Sequence, residues 1–189
     1  MPSKFKVTFT LDESDASYFR NLYRKAKQGA RQQSRDQIIK DARAIVKDVR
    51  SSKKTPSFVV ESIGVLADLV DLIQDGDYAT PKKVQKEVLA ALAYFSDPED
   101  LIPDHIPVLG FMDDAIMIKF IEDEFQHELW GYRKFRRMRD VSEQRPWSSG
   151  AKQRLAERLA QDRKKVRAEI AKREAKGALK KKSKVHSGW

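Results

Sequence analysis

Apolar residues recur at spacings of three and four along most of this 189-residue chain, and this period restricts the fold more than any other feature. Such spacing places side chains on one face of an α-helix. One short segment differs, because Phe5, Val7 and Phe9 alternate with polar residues and no second strand follows to pair with them. The sequence therefore predicts an all-α bundle of about five helices with a short N-terminal strand or arm.

Helix boundaries are marked by capping residues and turns. Ser34 followed by Gln37 fits a capping box, and Thr80 before Pro81 fits a second N-terminus. Asp75-Gly76-Asp77 is typical of a helix stop. The apolar run Val88–Phe95 predicts that the helix containing it is central. The next helix is predicted from about Phe111 to Asp140.

The chain divides into four predicted parts. Residues 1–140 form the helical core, and 141–150, which contain Pro146 and Gly150, form a linker. Residues 151–176 read as a charged helix with a narrow apolar stripe, so it is expected to protrude from the core. Residues 177–189 are poor in apolar side chains and are predicted to be disordered.

Several classes of protein are excluded by composition. The chain has no cysteine, which rules out a disulfide scaffold and thiol-based zinc or redox sites. The first ten residues lack the apolar core of a signal peptide, and the longest apolar run is far too short to cross a membrane. The predictions are a cytoplasmic location and no transmembrane segment.

The net charge of +10 is distributed unevenly. Residues 141–189 carry 15 Lys/Arg and 5 Asp/Glu, whereas residues 1–140 carry 23 of each sign. Within that first part, residues 1–54 have 14 basic and 6 acidic side chains, and residues 55–132 have 4 basic and 16 acidic ones. The basic tail predicts a polyanionic partner, and the acidic stretch predicts a protein partner on the core.

The basic tail has three interpretations: contact with RNA, DNA or a ribonucleoprotein, contact with an anionic membrane, or a solvated face. Because aromatic residues are sparse there, binding to nucleic acid would be mainly electrostatic and independent of sequence. The candidate polyanion-binding residues are Lys152, Arg154, Arg158, Arg163, Lys164, Lys165, Arg167, Lys172, Arg173, Lys180, Lys181, Lys182 and Lys184.

Residues 91–118 read ALAYFSDPEDLIPDHIPVLGFMDDAIMI. An apolar helix end is followed by Asp-Pro-x-Asp-Leu-Ile-Pro-Asp, then Ile-Pro-Val-Leu-Gly, then an Asp-Asp pair that opens another apolar helix. This segment resembles the signature of the YkvA family, the domain of unknown function 1232. The resemblance implies no known catalytic activity. Many members of that family are short and apolar enough to lie in membranes, whereas here Asp68, Glu122 and other charges interrupt the helices.

The aspartates of this segment have two interpretations. As caps, they would accept hydrogen bonds from free N–H groups at turns and at a helix start. As ligands, their hard oxygens would hold Mg²⁺, Ca²⁺ or Mn²⁺ rather than zinc, and such a site could support hydrolysis. The candidate metal ligands are Asp97, Asp100, Asp104, Asp113 and Asp114.

No other catalytic motif is evident. Glu124 and His127 have the Glu-x-x-His spacing of di-iron bundles, but those sites need two such pairs and further glutamates. No catalytic residue is assigned and no cofactor is expected beyond the divalent cation considered above. The sequence favours a non-enzymatic binding or adaptor protein whose basic tail contacts nucleic acid or another polyanion. The alternatives are a divalent-metal-dependent enzyme and a peripheral membrane protein.

Overall fold

The computed structural model describes residues 10, 12–29, 33–51, 55, 57–96, 112–143 and 151–186. In this part of the chain the fold is all-α, as predicted. The strand predicted at residues 5–9 lies outside the described residues. The six α-helices and one short 3₁₀ helix are α1 (Glu13–Gly29), α2 (Arg35–Ser51), α3 (Ser57–Gln74), α4 (Lys82–Leu92) followed by the 3₁₀ turn Ala93–Ser96, α5 (Met112–Glu143) and α6 (Ala151–His186).

Four helices pack side by side in the order α2, α3, α5, α6, and α1 and α4 pack against this row together with the 3₁₀ turn. The most extensive contacts join α3 to α5 and α5 to α6. Val88 and Leu92 of α4 are fully buried, as their pattern predicts, and α4 contacts α1, α2 and α3, while α3 and α5 form the middle of the row. Phe135 of α5 is fully buried, and burial of such a side chain contributes roughly 1.5–3 kcal/mol.

Local hydrogen bonds confirm one predicted helix start and correct another. The N–H of Gln37 donates to Ser34 Oγ at 3.2 Å, while the Gln37 amide turns to Asp41 at 2.7 Å, so the N-cap forms without the reciprocal bond of a capping box. Thr80 does not cap α4. Its hydroxyl donates instead to the carbonyl of Leu72 at 2.6 Å, which ties the start of α4 to the end of α3.

The loop between α3 and α4 is organised by Asp75. Asp75 Oδ1 accepts hydrogen bonds from the N–H groups of Asp77 and Tyr78, both at 3.0 Å, and α3 ends at Gln74 as predicted. Ala79, rather than the neighbouring glycine, adopts the left-handed conformation, with φ of 48°. This turn directs the side chain of Tyr78 into the core, where it is fully buried.

The C-terminal helix does not protrude, in contrast to the prediction from its narrow apolar stripe. The apolar residues of α6 are buried in the same core cluster as those of α5; they are Leu159, Val166 and Ile170. A narrow apolar stripe is therefore sufficient to dock a helix that packs on a single neighbour. α6 also continues to His186, beyond the boundary predicted at residue 176, and residues 177–186 are helical rather than disordered. Its many lysines and alanines favour helix, and a helix already fixed by packing extends easily.

Candidate polyanion-binding surface

α6 lies antiparallel along α5, because Arg158 of α6 reaches Ser142 near the end of α5, while Gly177 lies beside His127 near its middle. The two helices lie close together at Gly131. A Cβ atom on this glycine would lie 2.5 Å from Ile170 Cδ1 and 3.1 Å from Val166 Cγ1. The absence of a side chain at Gly131 therefore allows α6 to dock at this distance.

A partly buried ion pair joins α6 to the core. Arg167 Nη1 donates to Glu128 Oε1, and Tyr78 Oη donates to the same oxygen at 3.0 Å. The Arg167 guanidinium also lies over the Tyr78 ring, with its Cζ atom 4.3 Å from the ring centroid. Burial and the neighbouring carboxylate of Glu128 raise the pKa of Tyr78, which keeps this phenol a donor. Arg167 is therefore a structural anchor, and this contact argues against its predicted role in polyanion binding.

A second set of contacts joins α6 and α5 to the α3–α4 loop. Arg163 Nη1 donates to the carbonyl of Asp77 at 2.8 Å, and Arg139 pairs with Asp75 at 2.8 Å. Although burial opposes its charge, the carboxylates of Asp75 and Asp77 raise the pKa of Arg139. Arg163, like Arg167, is thus used within the chain rather than displayed to a partner.

The side of α6 that faces the outer edge of α5 is also engaged. Arg158 Nη2 donates to Ser142 Oγ at 3.2 Å, and Arg173 stacks on Trp130 with its Cζ atom 4.0 Å from the ring centroid. Between them, Lys134 of α5 pairs with Glu169 at 2.6 Å. Of the predicted polyanion-binding residues, Arg158 and Arg173 therefore contact α5.

The remaining described cations of α6 are exposed. Lys165 is 3.5 Å from Asp162, but its side chain is 66% exposed. Spacings of eleven, seven and four residues place Arg154, Lys165, Lys172 and Lys176 along one side of the helix, with Lys164 beside them. We call these five residues, Arg154, Lys164, Lys165, Lys172 and Lys176, the outer ridge.

The structure therefore selects among the predicted cations. Four of them (Arg154, Lys164, Lys165 and Lys172) belong to the outer ridge, and Lys176, which the sequence analysis missed, joins them. Its position one turn after Lys172 was the signal that could have found it. The predicted residues whose side chains lie outside the described part of the chain are Lys152, Lys180, Lys181, Lys182 and Lys184.

Several acids of the acidic stretch pair with basic residues from other helices. Asp68 pairs with Arg133 at 2.7 Å and with Arg136 at 3.2 Å, and Asp71 pairs with Arg43 at 3.2 Å. These acids hold α3 to its neighbours on both sides. A protein partner on the acidic core remains a prediction, with fewer free carboxylates than the sequence indicated.

The predicted metal ligands are mostly outside the described residues. Asp97, Asp100 and Asp104 fall in the segment 97–111, and the side chain of Asp113 is likewise outside the described part. Asp114 is half-buried in the first turn of α5 and has an interaction partner. The described residues contain no group of three His, Asp or Glu side chains that could hold a metal ion. The Mg²⁺, Ca²⁺ or Mn²⁺ site remains a prediction.

None of the helices, over the ranges that the structure describes, is long and apolar enough to cross a membrane. No solved structure matches the chain.

A curated relative matches part of the chain. It is named "Uncharacterized membrane protein YkvA" of Bacillus subtilis (strain 168) and is 41% identical over 66 residues. The alignment covers 33% of this chain and 60% of that protein, so the chain spans less than two thirds of the relative's length.

A family model described as "Protein of unknown function (DUF1232)" matches residues 87–120. The matched segment contains the aspartate- and proline-rich signature together with the end of α4 and the start of α5. It confirms the resemblance inferred from that signature. Residues 87–120 thus match the DUF1232 family model, and 66 residues of the chain are similar to YkvA.

Proposed function

We propose that this is a non-catalytic binding protein whose outer ridge contacts a polyanion, with nucleic acid as the first candidate. The proposal depends on one observation: α6 is fixed to the core through its apolar edge, Arg163 and Arg167, and still exposes five cations on its outer side. These cations are displayed on a rigid helix, so binding does not require that a disordered tail be ordered first.

The spacing of the outer ridge suits a linear polyanion. Arg154 and Lys176 are separated by 22 residues, or about 33 Å of helix at ~1.5 Å per residue. Duplex DNA carries one negative charge per ~1.7 Å of its axis, so several phosphates lie within reach of a surface this long. α6 contains no aromatic residue for base stacking. The proposed binding is therefore electrostatic and independent of base sequence.

The test uses substitutions rather than deletion of α6, because deletion would leave Glu128 buried without Arg167 and would expose the surface around Gly131. The ridge variant is Arg154→Gln/Lys165→Gln/Lys172→Gln in the full chain. A matched control, Lys40→Gln/Lys47→Gln/Arg50→Gln, removes three exposed cations from α2 and so has the same net charge.

The measurement is fluorescence anisotropy of labelled duplex DNA and RNA as a function of salt. We expect the parent chain to bind, and the ridge variant to show a log–log salt slope that is lower in magnitude by roughly 2–3, since each lost phosphate contact removes ~0.9. The control should retain most of the parent slope. No binding by the parent at low salt, or equal losses in both variants, would refute the proposal for nucleic acid.

A second candidate function is that of a peripheral membrane protein. It is supported by the relative YkvA, whose name describes it as a membrane protein. Here the outer ridge would contact anionic headgroups, each surface cation contributing about 1 kcal/mol. Flotation with vesicles of phosphatidylglycerol and phosphatidylcholine tests it. Flotation of the parent but not of the ridge variant supports this candidate, whereas a parent that stays at the bottom at low salt contradicts it.

A further inference from the structure

One side of α5 is left uncovered by the other described helices. Lys119, Asp123, Gln126, Arg137 and Val141 are exposed on this side, and Val141 is 57% exposed. Half-buried Trp130, on which Arg173 of α6 stacks, lies in the middle, where two shallow grooves of about 620 and 300 Å³ meet. We call this surface the α5 strip; its residues are Lys119, Asp123, Gln126, Trp130, Arg137 and Val141.

The order of residues along the α5 strip makes it complementary to a second, antiparallel α5 strip. Asp123 lies seven residues before Trp130 and Arg137 lies seven residues after it. Lys119 and Val141 are likewise eleven residues before and after Trp130. Seven residues are two helical turns, about 10 Å, so all these side chains point the same way. An acid and a base thus occupy mirror positions around a central aromatic residue.

Both charged members of the pair are available to a partner. Arg137 forms no ion pair within the described part of the chain, although its neighbours Arg133, Arg136 and Arg139 all do. Among the described residues, Asp123 pairs only with Lys119, one turn away on its own helix, at 3.2 Å, and both side chains are 66% exposed. Such exposed pairs contribute little and are exchanged easily.

We propose that the α5 strip is a homodimer interface, in which the α5 helices of two copies pack antiparallel about a two-fold axis at Trp130. Asp123 would then face Arg137 of the partner subunit, and the symmetry repeats this pair, giving two intermolecular ion pairs. The two Trp130 rings would meet at the centre, where aromatic residues contribute most to an interface. Lys119 would lay its aliphatic stem against Val141 of the partner subunit.

The two-fold symmetry provides a test in which each single substitution weakens the dimer, whereas a mixture of the two variants forms it. In Asp123→Arg, both intermolecular pairs become Arg–Arg, and in Arg137→Asp both become Asp–Asp. When the two variants are mixed, the heterodimer contains one Arg–Asp pair and one Asp–Arg pair, both attractive. The double variant Asp123→Arg/Arg137→Asp likewise restores both pairs within a homodimer.

The experiment is sedimentation equilibrium of the full chain at low salt over a range of concentrations. The parent should dimerise, each single variant should raise the dimer dissociation constant by at least ~10-fold, and the mixture and the double variant should recover most of that loss. Asp48→Arg, an exposed acid of α2, is the matched control and should dimerise like the parent. Circular dichroism melts establish that each variant is folded.

Three results would overturn the proposal. They are a parent that stays monomeric at the highest concentration, single variants that dimerise as well as the parent, and a mixture that gains nothing over its components. The interface is separate from the outer ridge, so failure of the dimer leaves the polyanion proposal in place. Conversely, the dimer can form whether or not the outer ridge binds a polyanion.

Discussion

Glu128 is the single residue on which the docking of α6 depends most. It is 7% exposed, and its carboxylate accepts hydrogen bonds from both Tyr78 and Arg167. Removal of one partner of a buried ion pair leaves the other charge without compensation, which is more costly than the pair itself is stabilising. The same contact engages Arg167 within the chain, which argues against a role for it in polyanion binding.

We expect Glu128→Ala to lower the free energy of unfolding by ~3–5 kcal/mol, measured by urea denaturation. Replacement of the partner as well, in Glu128→Ala/Arg167→Met, should recover part of this loss because no buried charge then remains unpaired. Asp140→Ala, an exposed acid on the same helix, is the control and should change stability by less than ~0.5 kcal/mol. A Glu128→Ala effect as small as that of the control would contradict the structural role of the pair.

The environment of Tyr132 leads us to predict that the protein loses stability at high pH. Burial, together with the carboxylates of Asp75 and Asp71, raises the pKa of Tyr132 to about 12. The unfolded phenol ionises near pH ~10, so the folded state retains a proton that the unfolded state has lost. The stabilisation from this group is complete below pH ~10 and decreases as the pH rises through ~12.

In urea titrations at several pH values between ~9 and ~12, the unfolding free energy of Tyr132→Phe should therefore fall less steeply than that of the parent. Tyr18→Phe serves as the control, because the Tyr18 side chain is 49% exposed and its hydroxyl is not a buried group. If the unfolding free energies of the parent and of Tyr132→Phe fell equally with pH, the pH dependence could not be assigned to Tyr132.

At the scale of helices, the close contact of α5 and α6 rests on Gly131. Gly131→Ala gains ~1 kcal/mol of helix propensity but overpacks the contact with Ile170, which costs typically ~1–3 kcal/mol. We expect a net loss of stability in thermal and urea unfolding. Gly64→Ala, where a Cβ atom meets nothing within 4 Å, is the matched control and should be neutral or slightly stabilising.

Ile170→Val removes the Cδ1 atom that a Cβ at position 131 would meet at 2.5 Å. Gly131→Ala/Ile170→Val should consequently lose less stability than the sum of the two single variants. Simple additivity would show that the overlap with Ile170 Cδ1 is not what destabilises Gly131→Ala.

The local signals in the sequence were sufficient for the helices but not for their arrangement. The stop at Asp75 and the cap at Ser34 depend on neighbouring residues, and both were predicted. The packing of α6 depends on contacts between distant residues, such as Arg167 with Glu128, and no local pattern reports them. A stripe as narrow as that of α6 is compatible with both a solvated and a docked helix.

The same limit applied to the candidate site. Composition identified α6 as cationic, but it could not separate Lys172, which is exposed, from Arg173, which stacks on Trp130. One residue of difference turns a side chain by ~100° around a helix. Only the position of α5 decides which of these two neighbours faces solvent.

Across the whole molecule, the uneven charge of the sequence becomes a set of contacts. Basic residues of α2 and α5 pair with the acids of α3, as in Arg43–Asp71 and Arg133–Asp68. Basic and acidic segments that are separate in the sequence thus form ion pairs between packed helices. The surplus of positive charge that remains on the described surface of α6 is concentrated in the outer ridge.

The distance in sequence between Glu128 and Arg167 also has a consequence for the synthesis of the protein. These partners are 39 residues apart, and at ~5–20 residues per second a ribosome needs roughly 2–8 s to pass from one to the other. At the start of that interval α3, α4 and the first half of α5 are already made, but Glu128 still lacks the guanidinium that compensates its charge. We therefore expect the nascent core to reach its full stability only after α6 is made, and to be more open to chaperones and proteases before then.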